Sequence, residues 1–303
     1  MKLYAPAYYS RFACIADRCT HTCCVGWEID VDEQSLQTYS TLSHPYGRVL
    51  RESISTEGTP HFRLGEGERC PHLEPGGLCR LILELGEETL CRICREHPRF
   101  YNDTSRGREV GLGMACEEAC RRVLTSDDYD EWIVLGEVEG TPDGEAFDAL
   151  PYREIIFGIL REARPYGERL QKIEETFGVS PVVHSDGEWR ALLESLEYMD
   201  EAHRAWGKSF SMDAQVPSTL EPALERALAY FVYRHVTEAW DEADFCARLG
   251  GCLVLERLLA SLAAREGVER AEDLIPLARA LSEELEYSEE NTERLRNAFL
   301  EEE

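Results

Sequence analysis

The sequence predicts a mainly α protein in two parts. The first part, over residues 1–125, is cysteine-rich and loop-rich with a few short strands; it is expected to bind metal and to pack on a helical domain over residues 126–303. Two observations predict this division. Ten of the twelve cysteines lie in the first 120 residues, and apolar residues keep helical spacing over long stretches only after residue 150. A chain of 303 residues can form one large core or two smaller ones, and the uneven distribution of cysteine favours two.

Regular structure in the first part is predicted to be short. Asp32 is placed to cap a helix that continues to about residue 39. Alternating residues at 61–64 and 110–114 predict strands, the second leading into Cys116, and Pro75-Gly76-Gly77 predicts a turn. Because this part has so little continuous periodicity, we expect a metal centre to hold its loops together.

The second part is predicted to be helical. Its clearest helix combines Glu221-Pro222, a pair that suits a first turn, with apolar residues at helical spacing up to Val236. An acidic segment over residues 126–150, with a turn at residues 141–144, marks the predicted boundary. Further helices are predicted over residues 155–160, 192–199 and 253–262, and from about 274 to 303.

The charge of the chain restricts its partners. The formal net charge is −27, from 32 basic and 59 acidic residues. Such a surface repels nucleic-acid phosphates, so binding of DNA or RNA is not expected. It would attract a basic protein surface or a lysine-bearing substrate, although an acidic surface can also serve solubility alone.

The sequence also predicts a cytoplasmic protein without membrane contact. No stretch approaches the roughly 18 apolar residues that span a bilayer, and residues 1–18 have no apolar run typical of a secretion signal. Disulfides require an oxidising compartment, so the cysteines are expected to be reduced.

The clustered thiols predict a metal centre. Their spacing is Cys-x4-Cys-x3-Cys-Cys, then Cys-x8-Cys-x11-Cys-x2-Cys, then Cys-x3-Cys. Thiolates suit both zinc and iron–sulfur clusters, and either takes four ligands, so zinc or iron and one or two centres stay open. His21, His72 and His97 lie among the thiols and are expected to be hydrogen-bonding neighbours rather than ligands. Cys246 and Cys252, in an apolar helical context, are expected to be inert buried thiols.

Segments along nearly the whole chain resemble the flagellin lysine-N-methylase family. The segments are residues 8–14 (YYSRFAC), 19–27 (CTHTCCVGW), 69–73 (RCPHL), 78–79 (LC), 85–94 (LGEETLCRIC), 97–99 (HPR), 114–119 (MACEEA), 230–234 (YFVYR), 287–291 (YSEEN) and 293–295 (ERL). The cysteine pattern is shared with a broader group of cysteine-rich metal-chelating proteins, and the C-terminal segments narrow the resemblance to this family.

The resemblance implies an activity, two cofactors and a partner. The family methylates surface lysines of flagellin with S-adenosylmethionine and contains an iron–sulfur cluster, expected to be of the 4Fe-4S type. The cysteines that fall on the family's cysteine positions are Cys14, Cys19, Cys23, Cys24, Cys70, Cys79, Cys91, Cys94 and Cys116. Cys120 is not among the positions that the resemblance supports.

Methyl transfer to lysine is a displacement at carbon, so the attacking amine must first lose its proton. The residues considered as proton acceptors, without a ranking, are Tyr8, Tyr9, Glu28, Tyr101 and Glu109. The aromatic rings of Trp27, Phe100 and Tyr101 are candidates to pack against adenine or the lysine stem. The chain has neither a glycine-rich dinucleotide fingerprint nor the Cys-x3-Cys-x2-Cys motif of radical enzymes.

Two other functions stay open at this point. One is a non-catalytic zinc- or iron-binding module whose helical part docks a partner. The other is a redox sensor that uses Cys23-Cys24 or the pair Cys91 and Cys94.

Overall fold

The computed structural model of the protein describes residues 1–142 and 147–300. Its strands are β1 (Lys2–Pro6), β2 (Ile54–Ser55), β3 (His61–Phe62), β4 (Arg99–Thr104), β5 (Gly107–Leu112) and β6 (Trp132–Glu137). Its α-helices are α1 (Glu33–Thr41), α2 (Gly47–Glu52), α3 (Arg80–Leu85), α4 (Arg92–Glu96), α5 (Glu117–Thr125), α6 (Leu150–Leu160), α7 (Tyr166–Phe177), α8 (Asp186–Glu194), α9 (Glu221–His235), α10 (Glu242–Glu266), α11 (Ala271–Leu281) and α12 (Glu289–Asn297). The predicted mainly α class is confirmed.

The chain forms two compact units. The thiol unit comprises residues 13–99, and the helical unit comprises residues 1–12 together with 100–303. These limits differ from the predicted boundary near residue 125, because β1 at the N-terminus pairs with β5 and β6, and α5 packs on α9 and α11. Strand pairing across so many residues leaves no local sequence signal.

The helical unit contains a four-stranded sheet in the order β4-β5-β1-β6. Strand β1 runs parallel to β5 and antiparallel to β6, with Tyr4 opposite Glu109. Gly107 has a φ of +143°, and a Cβ there would lie 2.6 Å from the carbonyl oxygen of Lys2, so this register needs glycine. The predicted strand over residues 110–114 corresponds to the end of β5, and Cys116 lies at the start of α5.

Helices α9 and α10 form the centre of the helical unit's core. Pro222 occupies the first turn of α9, as predicted, and the predicted apolar positions from Leu224 to Val236 are buried. The helices predicted at residues 155–160 and 253–262 are confirmed as α6 and α10. In the described residues no helix is both long and apolar enough to cross a bilayer.

Two helix predictions were too long. The helix predicted over 192–199 ends with α8 at Glu194. The single helix predicted from residue 274 is instead divided into α11, a π-helical turn over Ser282–Glu286, and α12. Ser288 caps the N-terminus of α12, because its hydroxyl accepts the N–H of Asn291. The C-terminal part of that prediction, residues 301–303, lies outside the described residues, as do Asp143 and Gly144 of the predicted turn.

The thiol unit has a small apolar core beneath short elements. Helix α1 begins as predicted, since the Asp32 carboxylate accepts the Ser35 N–H at 3.0 Å; it also accepts the Arg92 N–H of α4 at 2.7 Å. The Tyr39 hydroxyl donates to the Thr89 carbonyl at 2.6 Å. These bonds tie α1 to the segment that contains Cys91 and Cys94. The predicted strand at 61–64 is confirmed over β3, and the predicted turn at 75–77 is closed by the Gly77 N–H bond to Glu74.

Candidate metal centre

Five of the predicted ligands gather in the core of the thiol unit. Cys70 and Cys91 are buried there, and Cys24, Cys79 and Cys94 pack against the same core. Each of these thiols lies close enough to at least one other of the five for the charge of one thiolate to change the pKa of the other. The structure therefore brings together sulfurs that are separated by up to 70 residues in the sequence.

Backbone hydrogen bonds position these thiols. The Cys70 N–H donates to the Cys24 carbonyl at 2.8 Å, which joins the first cysteine group to the second. Cys79 directly precedes α3 and receives N–H groups of Leu81 and Ile82 at its sulfur. Cys91 directly precedes α4 and receives the N–H of Cys94. Sulfurs held by backbone N–H groups are favourably placed as thiolates.

The environments of the five thiols differ. A hydrogen bond with the Cys23 thiol lowers the pKa of Cys24 to about 7. A hydrogen bond with Cys94 lowers the pKa of Cys91 and, together with burial, raises that of Cys94. Burial raises the pKa of Cys70 to about 12 and raises the pKa of Cys79. The thiols of Cys24 and Cys91 therefore lose their protons readily. Cys70, Cys79 and Cys94 would lose theirs only when a positive ion binds beside them.

The other predicted ligands lie elsewhere. Cys14 is exposed, and its sulfur accepts the Ala16 N–H at 3.4 Å. Cys19 donates to the His21 carbonyl at 2.6 Å, Cys23 lies beside Cys24, and Cys116 belongs to the helical unit. No disulfide joins any of the twelve cysteines, all of which are among the described residues.

The donor chemistry of the thiol cluster fits a zinc ion or an iron–sulfur cluster, since it offers more than the four soft ligands that either needs. The ligand geometry is not preformed. Within residues 1–142 and 147–300, no three Cys, His, Asp or Glu side chains are arranged to hold a metal ion together. Binding of a metal by these thiols stays a prediction.

His72 illustrates how the histidines are used. Its Nδ1 lies 2.7 Å from the Tyr46 hydroxyl and its Nε2 lies 3.0 Å from the Ser53 hydroxyl. Burial lowers the pKa of His72 to about 4, so the ring is neutral at physiological pH. With both nitrogens occupied, His72 is a hydrogen-bonding neighbour of the cluster, as predicted. The His97 ring lies beside that of Trp27, with centroids 6.3 Å apart.

The candidate proton acceptors differ in how far their side chains are exposed to solvent. Glu109 is fully buried in an ion pair with Arg153, and Tyr8 is buried in the core of the helical unit. Glu28 and Tyr101 remain exposed. Of the two late cysteines predicted to be buried, Cys252 is buried, whereas Cys246 is half-buried and donates to the Phe177 carbonyl at 3.5 Å. Burial raises the pKa of both thiols.

Sequence reasoning missed a cavity in the helical unit. It has a volume of about 390 Å³, and Arg234, Glu286, Phe100 and Tyr101 are among the residues that line it. Arg234 lies in the segment 230–234, and Glu286 directly precedes the segment 287–291, both of which resemble the family. That resemblance was the one sequence signal available for this site.

The chain is 28% identical over 131 residues to a lysine-N-methylase of Salmonella typhimurium, which is 41% of this chain and 32% of that protein. It is equally similar over 131 residues to a lysine-N-methylase of Salmonella choleraesuis. It is 28% identical over 140 residues to the flagellar biosynthetic protein FliU of Salmonella muenchen, 44% of this chain and 80% of that protein.

The resemblance to flagellin lysine-N-methylases is confirmed. The match spans about a third of the length of the two lysine-N-methylases. No family model matches the chain, and no solved structure matches it.

Proposed function

We propose that this protein is a cytoplasmic protein-lysine methyltransferase that moves a methyl group from S-adenosylmethionine to surface lysines of flagellin. The observation that supports it most is the gathering of Cys24, Cys70, Cys79, Cys91 and Cys94 in one core, because these residues lie in the segments that resemble the family. The names of the curated relatives, lysine-N-methylase and flagellar biosynthetic protein, agree with the proposal.

The reaction is a single displacement. The lysine nitrogen forms a bond to the methyl carbon, the bond from that carbon to sulfur breaks, and its electron pair stays on sulfur to give S-adenosylhomocysteine. The lysine ammonium must lose one proton beforehand, to a side chain or to water. Of the five acceptors considered from the sequence, Glu28 and Tyr101 are the ones with an exposed side chain. The acidic surface would attract a lysine-bearing partner.

Four of the five gathered thiols would hold an iron–sulfur cluster, with zinc as the alternative. When bound, the metal group would cross-link the loops of the thiol unit. The methyl displacement itself requires no electron transfer.

The proposal is tested by purifying the protein without oxygen, measuring iron, zinc and sulfide, and incubating it with flagellin and methyl-labelled S-adenosylmethionine. We expect iron and sulfide in the protein and label on flagellin lysines. Cys91→Ser, within the cluster, should remove both, whereas Cys246→Ser, a matched thiol loss in the helical unit, should remove neither.

One observation favours a second function, a metal-binding module without catalytic activity: the similarity to the curated relatives covers less than half of this chain. In that case the protein would contain metal but neither bind S-adenosylmethionine nor transfer label. Reversible loss of the metal centre on mild oxidation, without methyl transfer, would instead indicate a redox sensor.

A further inference from the structure

The cavity in the helical unit has the size of a small-molecule site. Its volume of about 390 Å³ exceeds that of a single amino acid and lies in the range of ligand pockets. Strand β4, the end of α9, the middle of α10, the π-helical turn and α12 all contribute to its wall. π-Helical turns are frequent at functional sites, and this one ends at Glu286, inside the cavity.

A buried guanidinium forms part of the cavity wall. The side chain of Arg234 is 13% exposed, and its guanidinium lies between two rings, 5.1 Å from the centroid of Phe100 and 4.6 Å from that of Tyr287. One of its terminal nitrogens donates to the Tyr230 hydroxyl at 2.9 Å. Its contact with Glu286 is 3.7 Å, longer than a close ion pair. Tyr287 also forms a hydrogen bond with this guanidinium. A guanidinium held in this way is suited to charge-assisted binding of a carboxylate.

A buried carboxylate lies on the same wall. The side chain of Glu286 is 0% exposed, and its Oε1 is 2.7 Å from His235 Nε2. Its Oε2 makes no hydrogen bond of ordinary geometry. The nearby Ser282 hydroxyl nevertheless helps to lower the pKa of Glu286. A buried carboxylate oxygen without a partner is costly, so this atom is expected to have a positively charged partner when the cavity is in use.

The other charges around the cavity are largely committed to one another. Arg248 and Arg296 both contact the buried Asp244, at 2.9 and 3.4 Å. Glu238 and Glu293 lie 3.3 and 3.8 Å from Arg248 and Arg296, and Glu289 is an exposed carboxylate of the same lining. Arg234 and Glu286 supply a cation and a buried anion on one wall, and the Oε2 atom of Glu286 makes no hydrogen bond. A ligand with a carboxylate and an ammonium on neighbouring atoms matches this arrangement.

We propose that the cavity binds an α-amino-acid group, with its carboxylate on Arg234 and its ammonium on Glu286. This inference rests on the proposed function, under which the group is the methionine end of S-adenosylmethionine. The remaining volume would hold the nucleoside, with Phe100 and the exposed ring of Tyr101 at its side.

The test measures binding rather than turnover. Calorimetric titration of the full-length protein would compare S-adenosylhomocysteine with 5′-methylthioadenosine, which has the nucleoside but lacks the amino-acid group. The variants are Arg234→Gln, Arg234→Lys and Glu286→Gln. The matched controls are Arg265→Gln and Glu266→Gln, an exposed ion pair at the end of α10. Thermal melting checks that each variant is folded, and Arg234→Lys keeps the charge if Arg234→Gln does not fold.

We expect the wild type to prefer S-adenosylhomocysteine by roughly tenfold or more, since two charge-assisted contacts are at stake. Arg234→Gln and Glu286→Gln should lose that preference, Arg234→Lys should keep part of it, and the controls should keep all of it. An equal loss of both ligands, or an unchanged preference in the folded variants, would overturn the site and leave the methyl-transfer proposal standing. A wild type that binds neither ligand would contradict the proposed function as well. Variants that bind flagellin more weakly but bind S-adenosylhomocysteine as tightly as the wild type would assign the cavity to the substrate lysine. That result would overturn this inference.

Discussion

Arg153 and Glu109 form a doubly hydrogen-bonded ion pair inside the helical unit, with N···O distances of 2.7 and 2.8 Å and side chains that are 1% and 0% exposed. Arg106 contacts the same carboxylate at 2.6 Å, and both guanidiniums lie over the ring of Trp132. One buried carboxylate therefore compensates two arginines, of which Arg153 is buried and Arg106 is 28% exposed. This arrangement gives Glu109 a structural role and removes it from the candidate proton acceptors.

Glu109→Gln is expected to lower the free energy of unfolding by about 3–5 kcal/mol, because it leaves a buried guanidinium without its counter-charge. Urea denaturation followed by circular dichroism measures the change. Asp103→Asn is the matched control: it breaks an Arg–carboxylate pair of similar geometry with Arg108 on the same hairpin, but in an exposed place. Its cost should be below about 1 kcal/mol. Equal costs for the two variants would contradict this assignment.

Gly111 provides the space for a ring at the cavity. A Cβ at this position would lie 2.5 Å from Phe100 Cε1 and 2.7 Å from Tyr233 Cε1. Gly111→Ala should therefore displace Phe100 and lower the free energy of unfolding by about 1–3 kcal/mol. Gly158→Ala, inside α6, meets no atom within 4 Å and should instead stabilise the protein by up to about 1 kcal/mol.

Thermal and urea unfolding of these two variants give the comparison. A neutral or stabilising Gly111→Ala would show that Phe100 can leave its place without cost. Near-ultraviolet circular dichroism then tests whether the aromatic environment changed.

Local patterns predicted the parts of the fold that depend on neighbouring residues. The Asp32 cap, the first turn of α9 and the turn at 75–77 each need only a few consecutive residues, and each was confirmed. The gathering of cysteines in one region was visible because cysteine is scarce. The sequence did not reveal which five cysteines would share a core, because that depends on tertiary contacts such as the hydrogen bond from the Cys70 N–H to the Cys24 carbonyl.

Features that depend on contacts between residues distant in the sequence could not be predicted from local patterns. The pairing of β1 with β5 joins residues about a hundred positions apart and moved the unit limits away from residue 125. The π-helical turn and the cap of α12 interrupt a segment that begins with helical apolar spacing, and that spacing was extended to predict one long helix. Arg234 and Glu286 meet only because α9 and that turn border the same cavity.

The buried carboxylate of Glu256 is expected to make stability depend on pH. Burial raises its pKa from 4.5 to about 7, although Arg257 and the hydrogen bond from Tyr166 act in the other direction. Because the folded state holds this proton more tightly than the unfolded state, the contribution is fully present below about pH 4.5 and is lost as the pH rises through about 7. At about 1.4 kcal/mol per pH unit, the loss is on the order of 3 kcal/mol.

Glu256→Gln, which cannot ionise, should therefore gain stability relative to the wild type as the pH rises from 5 to 8. Urea unfolding at several pH values measures the difference. Glu188→Gln is the control: hydrogen bonds from Ser185 lower the pKa of Glu188 below its usual 4.5, so its difference from the wild type should be flat between pH 5 and 8 and should change only at lower pH. A Glu256→Gln difference that does not change with pH would contradict the raised pKa.

Removal of metal is expected to loosen the thiol unit more than the helical unit. The thiol unit has a core of ten buried side chains beneath helices of at most nine residues, whereas the helical unit has an extensive core around α9 and α10. Small domains of this kind depend on cross-links for part of their stability. Limited proteolysis before and after treatment with a chelator, read by mass spectrometry, should show new cuts within residues 13–99 and few elsewhere.

Cys91→Ser should show the same cuts without chelator, because it removes a buried member of the cluster. Cys120→Ser replaces a buried thiol of the helical unit, whose sulfur contacts the Ile275 carbonyl at 3.6 Å, and should leave the pattern of residues 13–99 unchanged. Cuts that begin in the helical unit, or a thiol unit that resists protease equally with and without metal, would contradict the view that the gathered sulfurs hold a metal group that stabilises this unit.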